Sequence, residues 1–115
     1  MTVAFEVGQL RVGDVAVLAV TGDVDMLTAV HLTAAIETAL AGAPTAVIVD
    51  LSKVEFLASA GMSALVAAHA DAAPVRVSVV ADGPATSRPM KVVGLDKLLN
   101  IYPTVDEALS EIGAA

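Results

Sequence analysis

An α/β fold is the prediction for this 115-residue chain, and three observations carry it. Short Val-rich apolar runs recur at Val15–Val20, Ala46–Val49 and Val75–Ala81. Each has the length of a buried strand and is far too short to cross a bilayer. Longer stretches between them, Leu27–Ala41 and Ala60–Ala72, carry apolar residues near helical spacing and end at Gly42, Pro44 and Pro74. Finally, 57% of the residues are hydrophobic and 17% charged, enough to build a core and incompatible with disorder. Together they predict one domain over residues 1–115, with a central mixed sheet of about five strands flanked by about four helices.

The elements follow in order. Phe5–Gln9 opens as a short strand, and Gly13-Asp14 is a turn signal. The run Val15–Val20 predicts a strand buried on both faces, ended by Thr21-Gly22-Asp23. Leu27–Ala41 predicts a helix whose apolar residues Leu27, Val30, Ala34 and Leu40 face inward while Glu37 and Thr38 face water. Thr45–Asp50 is the next strand, followed by a loop in which Val54, Phe56 and Leu57 extend the apolar contacts. A second helix covers Ala60–Ala72 and a third main strand Val75–Val80; Asp82-Gly83-Pro84 is a turn. Ser87–Val93 predicts a short helix stopped by Gly94, and Leu98–Tyr102 a last strand. Thr104, with Glu107 three residues on, has the spacing of a capping box and opens a final helix through Ile112.

Composition excludes several function classes. With no cysteine there is no disulfide, thiolate zinc site or thiol nucleophile. A net charge of -7 repels phosphate backbones and anionic membranes, so neither nucleic acid binding nor membrane insertion is expected. Aromatic residues are 3%, which leaves no base-stacking surface. The opening residues Met1–Glu6 have neither a basic segment nor an apolar core, so a cytoplasmic location is expected. No phosphate-binding glycine loop and no Gly-x-Ser-x-Gly elbow occurs. His31 and His69, the two histidines, fall in separate helices and read as packing or surface residues. The expectation is a protein that is not an enzyme, with no metal and no cofactor of its own.

Two places have the residue types of a site. Asp23 and Asp25 lie two apart just after a strand. They either hold a cation or shift each other's ionisation, or they cap the helix that follows. The second place runs from Asp50 to Leu65, where a buried strand leads through a loop to Ala58-Ser59-Ala60-Gly61-Met62 at a helix start. Ser59 is there as a simple N-cap, or as a hydroxyl exposed for modification. A phosphoryl group on it meets free backbone N–H groups and the positive end of a helix, adding about 1.5 to 2 negative charges without unfolding anything. That is enough to block a docked partner, and the small neighbours Ala58, Ala60 and Gly61 leave room for one.

These two stretches resemble the STAS family, and within it the bacterial anti-sigma factor antagonists. Val20-Thr21-Gly22-Asp23-Val24-Asp25 is similar to the family's L-x-G-x-[LV]-D turn. The stretch Asp50–Leu65 is similar to its D-[LF]-S-x-V-x-F-[IM]-D-S-S/T-G-[LM]-x-x-L. The resemblance implies a regulator that binds an anti-sigma factor serine kinase and so frees a sigma factor. It implies phosphorylation at Ser59 with ATP carried by the kinase, and a phosphatase that resets the switch. The implied binding surface comprises Asp23, Asp25, Ala58, Ser59, Ala60, Gly61 and Met62. Ala58 stands where the family has Asp, and Ala60 where it has a second Ser or Thr. Ser59 is thus the one acceptor in the turn, with Ser63 a helical turn further on. An accessory STAS subunit of a transport or signalling assembly, without a phospho-switch, is the alternative. The apolar content leaves room for a homodimer.

Overall fold

The computed structural model describes residues 4–113. Strands β1 (Glu6–Val12), β2 (Val15–Val24), β3 (Ala46–Leu57), β4 (Arg76–Val80) and β5 (Asn100–Tyr102) form one sheet in the order β1-β2-β3-β4-β5. β1 and β2 are an antiparallel hairpin closed by Val12↔Val15 around Gly13-Asp14. All later neighbours are parallel. Parallel neighbours need a crossover, and helices supply it: α1 (Ala29–Ala41), α2 (Ser59–Asp71) and the short α3 (Ser87–Val92) with a 3-10 turn at Leu95–Lys97. α4 (Val105–Ile112) follows β5. The mixed five-stranded sheet and four helices are those predicted.

Alternation along the strands sorts the core into two layers. Ala16, Leu18 and Val20 of β2, with Val47, Val49 and Leu51 of β3, face α1, α2 and α3 in the larger cluster. Val15, Val17, Ala46, Ile48 and Val80 face the other way, onto Ala108 of α4. Thr104 starts α4 as expected, its hydroxyl accepting the Glu107 N–H at 3.1 Å.

Two expectations are corrected. β2 does not stop at Val20, nor β3 at Asp50; they pair on through Val24↔Leu57. The extension is irregular, with register shifts between Ala19 and Thr21 and again between Gly22 and Asp23. Its inward residues Leu51, Val54 and Leu57 fall three apart. Bulges break the period of two by which a strand is read from sequence. In α1 the inward face is Ala29, Leu32, Ile36 and Ala39, with Leu40 half-buried against the same core as expected, while Leu27, Val30 and Ala34 are exposed. Leu27 lies before the helix and is 76% exposed, and Val30 is 68% exposed. Exposed His31, Thr33, Glu37 and Thr38 flank Val30 and Ala34 on the outer side, so the arc free of polar side chains is the buried one.

Candidate functional site

The extended pairing of β2 and β3 carries two chain segments to the same end of the sheet. The Ala58 N–H donates to the Val24 carbonyl at 2.8 Å, tying the strand ends together. Asp25 and Ser59 each follow directly on this hydrogen-bonded pair, just beyond the strand ends, so the two sequence stretches with the residue types of a site meet here. Two glycines permit close packing here, Gly22 against the chain entering β1 and Gly61 against the strand ends. Gly22 has φ +88°, and a Cβ on it would lie 2.9 Å from the Ala4 carbonyl oxygen and from Phe5 Cα. Gly61, buried in the first turn of α2, would place a Cβ 2.5 Å from Val24 Cγ1 and 2.8 Å from Leu57 Cδ1. Only a hydrogen at Gly61 lets α2 settle onto the strand ends.

Asp25 caps the approach to α1. Its Oδ1 accepts the N–H groups of Leu27 and Thr28, each at 2.9 Å. The Thr28 hydroxyl in turn accepts the Asp25 N–H at 2.9 Å and donates to the Asp23 carbonyl at 2.8 Å. The Ala29 N–H donates to the Asp25 carbonyl, the first helical bond. Hydrogen bonding from the Thr28 N–H is the largest influence on the carboxyl and holds it below its ordinary pKa of 3.8. Of the two readings of the Asp23/Asp25 pair, Asp25 follows the capping one. Asp23 is half-buried at the end of β2, opposite Phe56. Among the described residues no group of three or more His, Cys, Asp or Glu side chains lies together as a metal site would require.

α2 starts differently. Ser59 is not the cap: Ala58 occupies that position, extended at φ -80° and ψ 167°, and Ser59 is the first helical residue. No side chain caps this helix and no acidic residue lies in its first turn. The Ala58 carbonyl accepts the N–H groups of Gly61 and Met62. Ser59 is exposed, while Ala58, Ala60 and Met62 are half-buried. Its hydroxyl therefore stands at the positive end of a thirteen-residue helix with no competing carboxylate in that turn.

Beside Ser59 opens a groove of about 460 Å³. Met62, Val66 and Ala67 of α2 form one wall; Val93 and Leu95, between α3 and the 3-10 turn, form the other. Ser63 also reaches it. Sequence reasoning misses Val93 and Leu95 as site residues, since they lie more than thirty positions from Ser59 in the chain. Their one signal is the apolar pair Val92-Val93 running up to Gly94, which in sequence marks only the end of a helix.

Comparison with known proteins places the whole fold. A family model described as "Mlab, STAS domain" matches residues 7–100. The anti-sigma-F factor antagonist RsfB of Mycobacterium tuberculosis is 41% identical over 99 residues, covering 85% of this chain and 81% of that protein. The crystal structure of an anti-sigma factor antagonist from Mycobacterium paratuberculosis superposes with a TM-score of 0.89 at 40% identity, covering 94% of this chain and 93% of that one. SpoIIAA of Bacillus in its unphosphorylated form, at 20% identity, shares the fold with a TM-score of 0.74 over 97% of this chain and 98% of its own. A match over most of the chain, two strand ends joined beneath Ser59 and relatives named as antagonists converge: this chain belongs to the STAS-domain family.

Proposed function

We propose that this chain is an anti-sigma factor antagonist that docks on an anti-sigma factor through the surface around Ser59, and that phosphorylation of Ser59 ends the complex. The observation that carries the reading is an exposed hydroxyl at the uncapped start of α2, beside an open apolar groove. The names of the relatives at about 40% identity support the partner class. On this reading the chain is a cytoplasmic regulator and not an enzyme, with ATP and the catalytic base supplied by the partner kinase. The Ser59 oxygen attacks the γ-phosphorus of ATP, the bond to ADP breaks, and the hydroxyl proton passes to the kinase's base. Asp25 is a poor base here, because its carboxylate already accepts two backbone N–H groups.

Electrostatics explains release. The phosphate adds about 1.5 to 2 negative charges beside a groove that must be dehydrated for docking. Within the chain the same charge is tolerated by the helix N-terminus. A phosphatase restores the hydroxyl. Capture from the native host's lysate tests the proposal, with wild type and Ser59→Glu as baits and mass spectrometry as readout. Wild type is expected to retain an ATP-binding anti-sigma factor that Ser59→Glu loses. Equal capture by both rejects the switch at Ser59.

A second reading, an accessory STAS subunit without a phospho-switch, is favoured by one observation: Ala58 leaves no carboxylate next to Ser59. Capture of transport subunits with no anti-sigma factor selects it.

A further inference from the structure

The chain's net charge is -7, yet three of its six cations, Arg88, Lys91 and Lys97, fall within α3 and the 3-10 turn. All three are exposed, and Asp96 is the one acid among residues 87–97. This ridge is also unusually apolar: Val92 is 79% and Val93 60% exposed. One side of it, through Val93 and Leu95, closes the groove beside Ser59. The other side carries Arg88 and Lys91, one helical turn apart, along a second cleft of about 460 Å³ shared with Asp82, Ser87 and Val92. Ser59's opposite flank is acidic, with Asp23 and Asp25 at the end of β2 and exposed Glu55 on β3. Asp82 and Asp96 share clefts with Lys91, and Lys53 is exposed near Glu55, so the contrast rests on Arg88, Lys91 and Lys97 against Asp23, Asp25 and Glu55: more acidic at one end, more cationic and apolar at the other.

We infer that the α3 ridge orients the partner: the anti-sigma factor seats an apolar segment in the Ser59 groove and sets a carboxylate against Arg88 and Lys91. This inference rests on the function proposed above. Basic groups on a partner are drawn to the acidic flank and repelled by the ridge. An acidic residue at the matching place turns that repulsion into attraction and fixes one orientation, because like charges brought together across an interface are strongly disfavoured. The exposed Val92 and Val93 then become buried under the segment that carries the carboxylate.

The test is titration calorimetry of the anti-sigma factor captured by wild type against three forms of the full chain. These are wild type, Arg88→Glu/Lys91→Glu, and Arg11→Glu on β1 as a control for net charge. The double reversal is expected to weaken binding by about tenfold or more and to flatten its salt dependence, with Arg11→Glu close to wild type. Circular dichroism melts of each form establish that the fold is kept. Binding of the double variant as tight as wild type overturns the inference, as does an equal loss with Arg11→Glu. Sedimentation revealing a homodimer that the double variant abolishes also overturns it, by putting a second copy on the ridge. If wild type itself captures and binds no anti-sigma factor, the proposed function fails first, before any substitution is made.

Discussion

At the end of β2 the chain passes into α1 through Asp25, whose carboxylate takes two backbone N–H groups and whose own N–H is taken by Thr28. At the end of β3 it passes into α2 through Ala58, which has no side chain to offer, and the first polar group met is the exposed Ser59 hydroxyl. The two strand-to-helix junctions are neighbours, joined by the Ala58-to-Val24 hydrogen bond, and face the same water. One is locked by local hydrogen bonds; the other is held from below, by Gly61 pressed onto Val24 and Leu57. An N-cap contributes about 1 kcal/mol. The start of α2 forgoes it, with no side chain covering its positive end, which suits the negative charge proposed for Ser59.

The comparison breaks most sharply at Gly61. Gly61→Val forces a branched side chain into space held by Val24 and Leu57, both buried. Glycine inside a helix normally costs about 1 kcal/mol against alanine, so the exchange would help an unconstrained helix. Here overpacking dominates, and a loss of about 3 kcal/mol or more is expected, read as a drop in the urea midpoint. An unchanged midpoint means that α2 does not bear on the strand ends.

Ser59→Glu separates stability from binding. A carboxylate in the first turn of α2 favours the helix by about 0.3 to 1 kcal/mol, so the thermal midpoint should rise slightly. Affinity for the anti-sigma factor should fall by about tenfold or more, some 1.4 kcal/mol. A lowered melting temperature contradicts the account of an uncapped, anion-tolerant helix start.

Supplying the missing cap narrows the difference between the two junctions. The extended backbone at Ala58 suits a capping residue, so Ala58→Asp should stabilise by about 1 kcal/mol in thermal denaturation. Proton linkage at the start of α1 gives the smallest effect. The Asp25 pKa is lowered in the folded state, so its contribution is complete above the ordinary value of 3.8 and is lost as pH falls through the native value. Wild type should be modestly more stable than Asp25→Ala near neutral pH, and the gap should close in acid. A gap that persists in strong acid shows that the carboxylate's charge is not what locks α1.

Most elements are legible in the sequence because each is encoded by near neighbours. Val15–Val20 and Ala46–Val49 are apolar on both faces, as strands covered on both sides must be. Thr104 and Glu107 announce the start of α4 within three positions. Of the site, Ser59's place at a helix start is legible from the strand, loop and small residues around it. Its neighbourhood is not. The continuation of β3 past Asp50 is hidden because Ser52, Lys53 and Glu55 are exposed and bulges upset the alternation.

Residue order by itself therefore determined the class of fold, the order of its elements, the absence of thiol chemistry and the placing of Ser59 at the start of a helix. Tertiary structure alone decided the rest. It buried Leu32 and Ile36 rather than Leu27 and Val30, since Leu27 precedes the helix and Val30 lies on the side of the exposed His31, Thr33, Glu37 and Thr38. It also set Val93 and Leu95 across from Met62 and Val66 as the two walls of the groove beside Ser59. Such a groove joins distant parts of the chain, and it arises only when the crossover helices lie on one face of the sheet.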